Sequence, residues 1–279
     1  MDLSNENVVH IKKNGVEYLQ FRRLLEYSDV INHAYTLGID KDYRTSTVDK
    51  EPLSEDRFQK TMNNYKNICE EIGTNYINCA QPIQLHTKNV KVVDAKINSD
   101  KPDLYEMEYN ETDGFVTNKS NIILSTTNAD CILLMFFDPV KKVISNVHSG
   151  WKGTLQEISI EAVKKMINEF GCNPADIICC ICPSIRKCHF EVDKDVKDMF
   201  YEKFKYLSKI NMIIEYNSEK NKWNIDTVLI NKVILENIGL KSENIIDSGI
   251  CSVCNSNIIH SYRVEKQGYG VETALIELK

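Results

Sequence analysis

Three residues of this 279-residue chain have the chemistry of soft or borderline metal ligands and lie at the ends of short runs with strand character. His86 ends the stretch QLH, Cys131 ends NADC, and His148 opens HSGWKGT. Two imidazoles and a thiolate suit Zn²⁺, and three protein ligands leave a fourth coordination position for water or substrate. Their separations, 45 residues from 86 to 131 and 17 from 131 to 148, specify no site by themselves. The plainer alternative is a set of hydrogen-bonded polar residues at strand ends.

The stretch 146–154, NVHSGWKGT, lies between a run with strand character and one with helix character. A strand–turn–helix of this kind presents unpaired backbone N–H groups and the positive end of a helix dipole, which favour an anion. Gly150 and Gly153 permit close backbone approach. Lys152 adds a point charge, and Thr154 completes the candidate phosphate cradle, with Arg263 in SYR as a further cation. Asp130, beside Cys131, is a candidate acid or base, or alternatively the acceptor of an Asx turn. Trp151 either stacks on a planar ligand or fills core, and core is the commoner fate of a large apolar side chain.

The elements that must position these residues follow from periodicity. Residues 16–35 read as an early strand pair and 54–73 as an amphipathic helix, with Ser54 as N-cap, Phe58, Met62, Tyr65, Cys69 and Ile72 on one face, and Gly73 as stop. Residues 77–86, 90–94, 115–127, 131–137, 142–147 and 177–182 have strand character, and 96–113 reads as a polar loop. A helix over 154–170 ends at Gly171, and 193–205 and 226–238 are two more helices. Residues 245–264 and 271–278 close the chain as strand-like segments. Helices that alternate with strands, some strands being adjacent, predict a mixed α/β class, an α+β sandwich of mixed sheets flanked by helices. No composition break divides the chain. It reads as one domain over 1–279, with N-terminal strands and a helix in 1–75 and the motif-bearing core in 77–279.

The composition, 42% hydrophobic and 27% charged, is that of an ordinary folded protein. A net charge of −6 argues against a nucleic-acid or anionic-membrane partner. The N-terminal residues carry no apolar signal-peptide core, and the longest apolar run, 131–137, is too short to span a bilayer. A cytoplasmic location is therefore expected. The ten cysteines are then expected as reduced thiols or metal ligands. Cys251 and Cys254 form a single CxxC, and Cys179, Cys180, Cys182 and Cys188 form an irregular cluster beside His189. Both groups are expected as buried reduced thiols rather than a second metal site.

QLH at 84–86, TNADC at 127–131, HSGWKGT at 148–154, CPSIRKCHFEV at 182–192 and SGICSVCN…SYR at 248–263 occur in one order. Together they resemble the YfiH-type laccase-domain family, also labelled multicopper polyphenol oxidase and described as purine nucleoside phosphorylase. The resemblance runs from about residue 77 to the end. It implies an α/β domain like that of cysteine-type deamidase toxins, and a Zn²⁺ held by His86, Cys131 and His148. It also implies phosphorolysis of adenosine, inosine and methylthioadenosine, with deamination of adenosine at the same site. The partners would be a nucleoside and phosphate; monomer and dimer stay open.

The chain departs from that pattern. Lys152 stands where the family has Arg, and Lys holds phosphate as a point charge rather than a bidentate fork. Thr87 replaces a Gly, and Cys182-Pro183 replaces Gly-Pro. An early Thr-Arg with a Gly-Gly turn is missing, with Arg44 in that region. Three alternatives remain. A copper-dependent polyphenol oxidase is one, since His and Cys also bind copper, but six His cannot supply the roughly ten ligands of a multicopper enzyme. The second is a Cys–His hydrolase or amidase with Cys131 as nucleophile and His148 as base. The third is a non-catalytic protein with a closed structural zinc.

Overall fold

The computed structural model describes residues 1–45, 53–94 and 111–279. The most apolar part of the chain explains the architecture. Ile132–Asp138 and Val143–Ser149 are buried along their whole lengths, on both faces. Such strands must be covered on two sides, and here one cover is a second sheet and the other a helical layer.

The first sheet runs β1 (Val8–Lys13), β2 (Val16–Phe21), β3 (Ile31–Leu37), β15 (Glu272–Leu278), β7 (Ile123–Asn128) and β4 (Cys79–Ala80). All its pairings are antiparallel except β7 with β4. The second runs β14 (Ile245–Asp247), β10 (Ile178–Ile181), β8 (Ile132–Asp138), β9 (Val143–Ser149), β6 (Gly114–Thr117) and β5 (Val90–Val92), parallel only at its two edges. Leu19, Tyr35, Leu124 and Ile276 of the first sheet interdigitate with Leu133, Phe137 and Ile144 of the second. A helix short of strand β3, α1 (Arg22–Leu25), closes the edge of this core. The outer face of the first sheet is covered by α2 (Glu55–Ile72) through Met62, Tyr65 and Cys69. The outer face of the second packs on α4 (Ile158–Phe170) and α7 (Thr227–Asn237), which follow the short α3 (Trp151–Leu155) and α5 (Lys194–Phe204) with α6 (Ile210–Ile213) in chain order. A small antiparallel sheet, β11 (Glu191–Val192), β13 (Lys222–Ile225) and β12 (Ile214–Asn217), packs with α5 around Phe200 and Phe204. A last short helix, α8 (Tyr262–Glu265), precedes β15. The layers are thus helix, sheet, sheet, helices, a mixed α/β sandwich.

Helix α2 matches the expected span and ends in a left-handed Gly73. Several boundaries differ. Residues 16–35 belong to a three-stranded antiparallel run with β1, rather than a pair. Only Cys79–Ala80 of the 77–86 segment is strand, because Pro82 lacks a ladder donor and the N–H groups of 85–87 bond a side chain instead. The helix expected over 154–170 is two helices, broken where Glu157 adopts a left-handed conformation. Of 245–264 only Ile245–Asp247 is strand; turns and α8 make up the remainder. The loop expected over 96–113 falls outside the described residues up to 110. No helix among the described residues is long and apolar enough to cross a membrane.

Candidate metal centre

His148 occupies the penultimate position of β9, paired with Leu133 of β8. Cys131 immediately precedes β8, whose Ile132 pairs with Ser149, so the antiparallel register brings the cysteine to the end of the strand that carries the histidine. His86 arrives on the irregular segment after β4. The ligand atoms of His86, Cys131 and His148 all lie within 4.8 Å of one another. Cys131 Sγ is 3.8 Å from His86 Nε2, and the two imidazoles meet edge to face at 4.9 Å. A tetrahedral ion at ~2.3 Å from sulfur and ~2.0 Å from nitrogen needs ligand separations of about 3.3–3.5 Å, so this donor set fits a soft or borderline ion with small closure.

The group that organises the trio is Asp113, the last residue of the segment 96–113 expected as a polar loop. Its carboxylate is fully buried. Oδ1 lies 2.8 Å from His148 Nδ1 and accepts the His86 N–H at 3.0 Å. Oδ2 accepts the N–H groups of Leu85 and Thr87 and the Thr87 hydroxyl. One carboxylate therefore orients the His148 imidazole and anchors the His86 backbone. It directs His148 Nε2 inward and holds His86 in a left-handed backbone conformation, φ 59°, that few non-glycine residues adopt. Gly150 supplies the remaining clearance. A Cβ there would stand 2.5 Å from His86 Cδ2 and 3.1 Å from Cys131 Sγ. The glycine in HSGWKGT thus makes room for the ligands.

Electrostatics follow this geometry. Burial disfavours the Cys131 thiolate, but the neighbouring His148 and His86 outweigh it and pull the thiol down to about 6. Burial likewise opposes charge on His148, while Cys131 and Asp113 raise it to about 10. Asp113 is held below the usual carboxylate range: its hydrogen bonds to His148 and Thr87 overcome desolvation.

Two cavities adjoin the trio, and both are lined by His86, Cys131 and Tyr269. The larger, about 560 Å³, is walled by Trp151, Phe190, Tyr262 and Arg263 and has Asp130 at its base. The smaller, about 310 Å³, is lined by Arg44, Gln84 and His148. Arg44 lies 4.0 Å over the Tyr269 ring and donates from Nη2 to the Tyr269 carbonyl, while its buried Nε has no partner among the described residues.

The other expected site residues are placed as follows. Asp130, at φ 83°, accepts from the Ser252 and Ser261 hydroxyls on Oδ1 and from the Arg263 N–H on Oδ2. Arg263 borders the larger cavity, and its guanidinium donates to the His189 and Glu191 carbonyls. Lys152 is exposed and lies 5.6 Å over the Trp151 ring. Gly153 packs near Ile158 and the Thr87 carbonyl. Thr154 is buried, with its hydroxyl between Ser149 and Asn231. Neither cavity is lined by Lys152, Gly153 or Thr154. Cys179, Cys180 and Cys182 are buried as expected, but Cys188 and Cys254 are exposed, because they lie in surface turns beyond the strands. The expectation that all these thiols are buried is corrected for that pair.

The fold and site define a two-sheet sandwich with a His–Cys–His cluster beside two cavities, and comparison with known sequences gives its family. Residues 41–279 match the family model described as multi-copper polyphenol oxidoreductase laccase, and the chain belongs to that family. It is 30% identical over 224 residues to the Bacillus subtilis protein named purine nucleoside phosphorylase YlmD, covering 80% of this chain and 79% of that one. It is 28% identical over 193 residues to adenosine deaminase RL5 from an unknown prokaryotic organism, covering 69% of this chain and 72% of that protein. The crystal structure of the Bacillus licheniformis protein YfiH superposes with a TM-score of 0.81 at 23% identity, over 96% of this chain and all of the other, and shares the fold.

Proposed function

We propose that this chain is a zinc-dependent purine nucleoside phosphorylase that acts on adenosine, inosine and methylthioadenosine, with adenosine deamination as a second activity of the same site. The observation that carries the reading is the position of the trio, between an aromatic-walled cavity large enough for a nucleoside and a smaller one that contains an arginine. Three ligands facing a cavity make an open site, unlike the closed four-ligand set of a structural zinc. The names of the relatives, a purine nucleoside phosphorylase and an adenosine deaminase, share a substrate class, the purine nucleosides.

His86, Cys131 and His148 would hold the ion, and a metal bound there supplies Lewis acidity and activates water. The remaining work belongs to the protein. Trp151, Tyr262 and Tyr269 offer faces for a purine. Arg44 lines the smaller cavity, where its guanidinium would meet phosphate. Arg263 borders the sugar. Asp130, with both oxygens taken by three donors, positions Arg263 and the Cys131 turn rather than carrying a proton. Lys152 and the backbone of 150–154 contribute positive potential nearby.

A second reading has its own support. Asp113, His148 and Cys131 form a carboxylate–imidazole–thiolate relay, with the thiol lowered to about 6, which is the arrangement of a cysteine hydrolase. The discriminating experiment incubates zinc-loaded protein with adenosine, inosine or methylthioadenosine, each with and without phosphate, and separates the products. Phosphate-dependent release of adenine, abolished by His86→Ala and by chelation, is the expected result. If no base is released from any of the three nucleosides, the phosphorylase reading fails; amide hydrolysis that survives chelation would establish the alternative.

A further inference from the structure

Four soft ligands meet a second time, about a different pair of turns. Cys188 and His189 lie in the turn that follows β10, and Cys251 and Cys254 in the turn that follows β14. Their ligand atoms all lie within 4.8 Å of one another. His189 Nδ1 is 3.1 Å from Cys188 Sγ and 3.6 Å from each of Cys251 Sγ and Cys254 Sγ; Cys188 Sγ is 3.7 Å from Cys251 Sγ. In a tetrahedral ion with ~2.3 Å bonds to sulfur and ~2.0 Å to nitrogen, the edges are about 3.8 Å between sulfurs and about 3.5 Å from sulfur to nitrogen. The observed edges approach those values. They do not fit a disulfide, whose sulfurs are ~2.05 Å apart.

The two turns are fastened independently of the sulfurs. Ser184 donates its N–H to the Ile250 carbonyl and accepts on its own carbonyl from the Ser252 N–H. Arg186 pairs with Asp247 and also donates to the Ile250 carbonyl. Within the second turn, Asn255 N–H and Nδ2 both bond the Cys251 carbonyl. The backbone N–H groups of Cys254 and Arg186 are aimed at the Cys251 thiol, where they would stabilise a thiolate ligand. The fold therefore brings the four ligands together without assistance from an ion, and three sulfurs with one imidazole would select a soft or borderline cation over magnesium or calcium.

We propose that Cys188, His189, Cys251 and Cys254 form a second, closed metal site of Cys₃His type that binds one zinc-class ion with a structural role. Its neighbours give that role a location. The His189 carbonyl accepts from Arg263 at 3.0 Å, and Ser252, between the two CxxC cysteines, donates to Asp130 at 2.6 Å. An ion here would therefore pin the wall of the larger cavity and the turn before Cys131. The proposal is independent of the activity assigned to the first site.

The test is metal stoichiometry of the full chain, purified under reducing conditions and reconstituted with zinc, then with cobalt(II). Wild type is expected to bind two ions per chain. His86→Ala should retain one, whose cobalt spectrum carries the strong thiolate charge-transfer bands and tetrahedral ligand-field bands of a three-thiolate site. Cys254→Ser, a change at an exposed position, should also retain one, with only the weaker one-thiolate signature. X-ray absorption on His86→Ala should find three sulfurs and one nitrogen about the ion. The proposal is overturned if His86→Ala binds no ion, if wild-type cobalt titration ends at one equivalent with a one-thiolate spectrum, or if mass analysis of the reduced-purified chain finds two of the three cysteines joined in a disulfide. The wild-type titration decides the matter even where a variant fails to fold.

Discussion

At the scale of single residues, the trio depends on a group outside the ligand set. Asp113 fixes the tautomer of His148 and the backbone of His86 with one carboxylate. Replacement by Asn keeps the size but places an amide where those donors need acceptors. Asp113→Asn should weaken zinc at this site by about 10- to 100-fold, the usual cost of losing such an outer partner, and competition against a chromophoric chelator would measure it. The protonation states set a second expectation. Between about 6 and about 10 the metal-free pair holds a thiolate and an imidazolium, so an entering ion must displace the His148 proton. Affinity should rise about tenfold per pH unit across that window. Below about 6 the Cys131 thiol is protonated too, and the dependence should steepen. Competition titrations on Cys254→Ser, which isolates this site from the second cluster, would check it; a flat profile would show that His148 is neutral before the ion arrives.

Among the elements, β3 contains a buried histidine remote from the metal centre. His33 accepts the Phe21 N–H at 2.8 Å, bracing the end of β2. Burial drives its pKa down to about 3. The unfolded chain, with an ordinary imidazole near 6.5, then takes up a proton that the native state refuses. Stability should be full above about 6.5 and fall by up to about 1.4 kcal/mol per unit as pH drops toward about 3. His33→Gln keeps an acceptor but does not titrate. Urea midpoints at pH 7.5 and pH 5 should fall less for this variant than for wild type; equal losses would place the acid sensitivity elsewhere.

For the whole molecule, the sandwich places its ligands where β8 and β9 end, and the two cavities open to either side of them. Under the proposed function the smaller cavity would take phosphate and the larger the nucleoside. Arg44→Ala should raise KM for phosphate by tenfold or more, about the value of one charge-assisted hydrogen bond, with KM for adenosine little changed. Lys152→Ala should affect both modestly, since Lys152 lines neither cavity. Initial-rate matrices in both substrates would check this, and a larger phosphate effect from Lys152 than from Arg44 would reverse the assignment.

Amphipathic α2 with its glycine stop and the apolar run Ile132–Phe137 of β8 were legible in the sequence, because each is encoded by neighbours within a few residues. Short-range patterning also pointed to the HSGWKGT turn, while the spacing of His86, Cys131 and His148 specified no site and the resemblance to a family joined them as a ligand set. Only the tertiary structure decided that Asp113 serves both the His148 imidazole and the His86 backbone, since its partners lie 26 to 35 positions away and its local sequence reads as a polar loop. It also decided that Gly150 clears space for His86, and that Arg44 faces a cavity from the other end of the chain. The four ligands of the second cluster come from two turns more than 60 residues apart, and nothing in a single CxxC states where the other two will be. Periodicity reports which face of an element is buried; which residues share one point in space depends on strand register and sheet packing, which no local pattern contains.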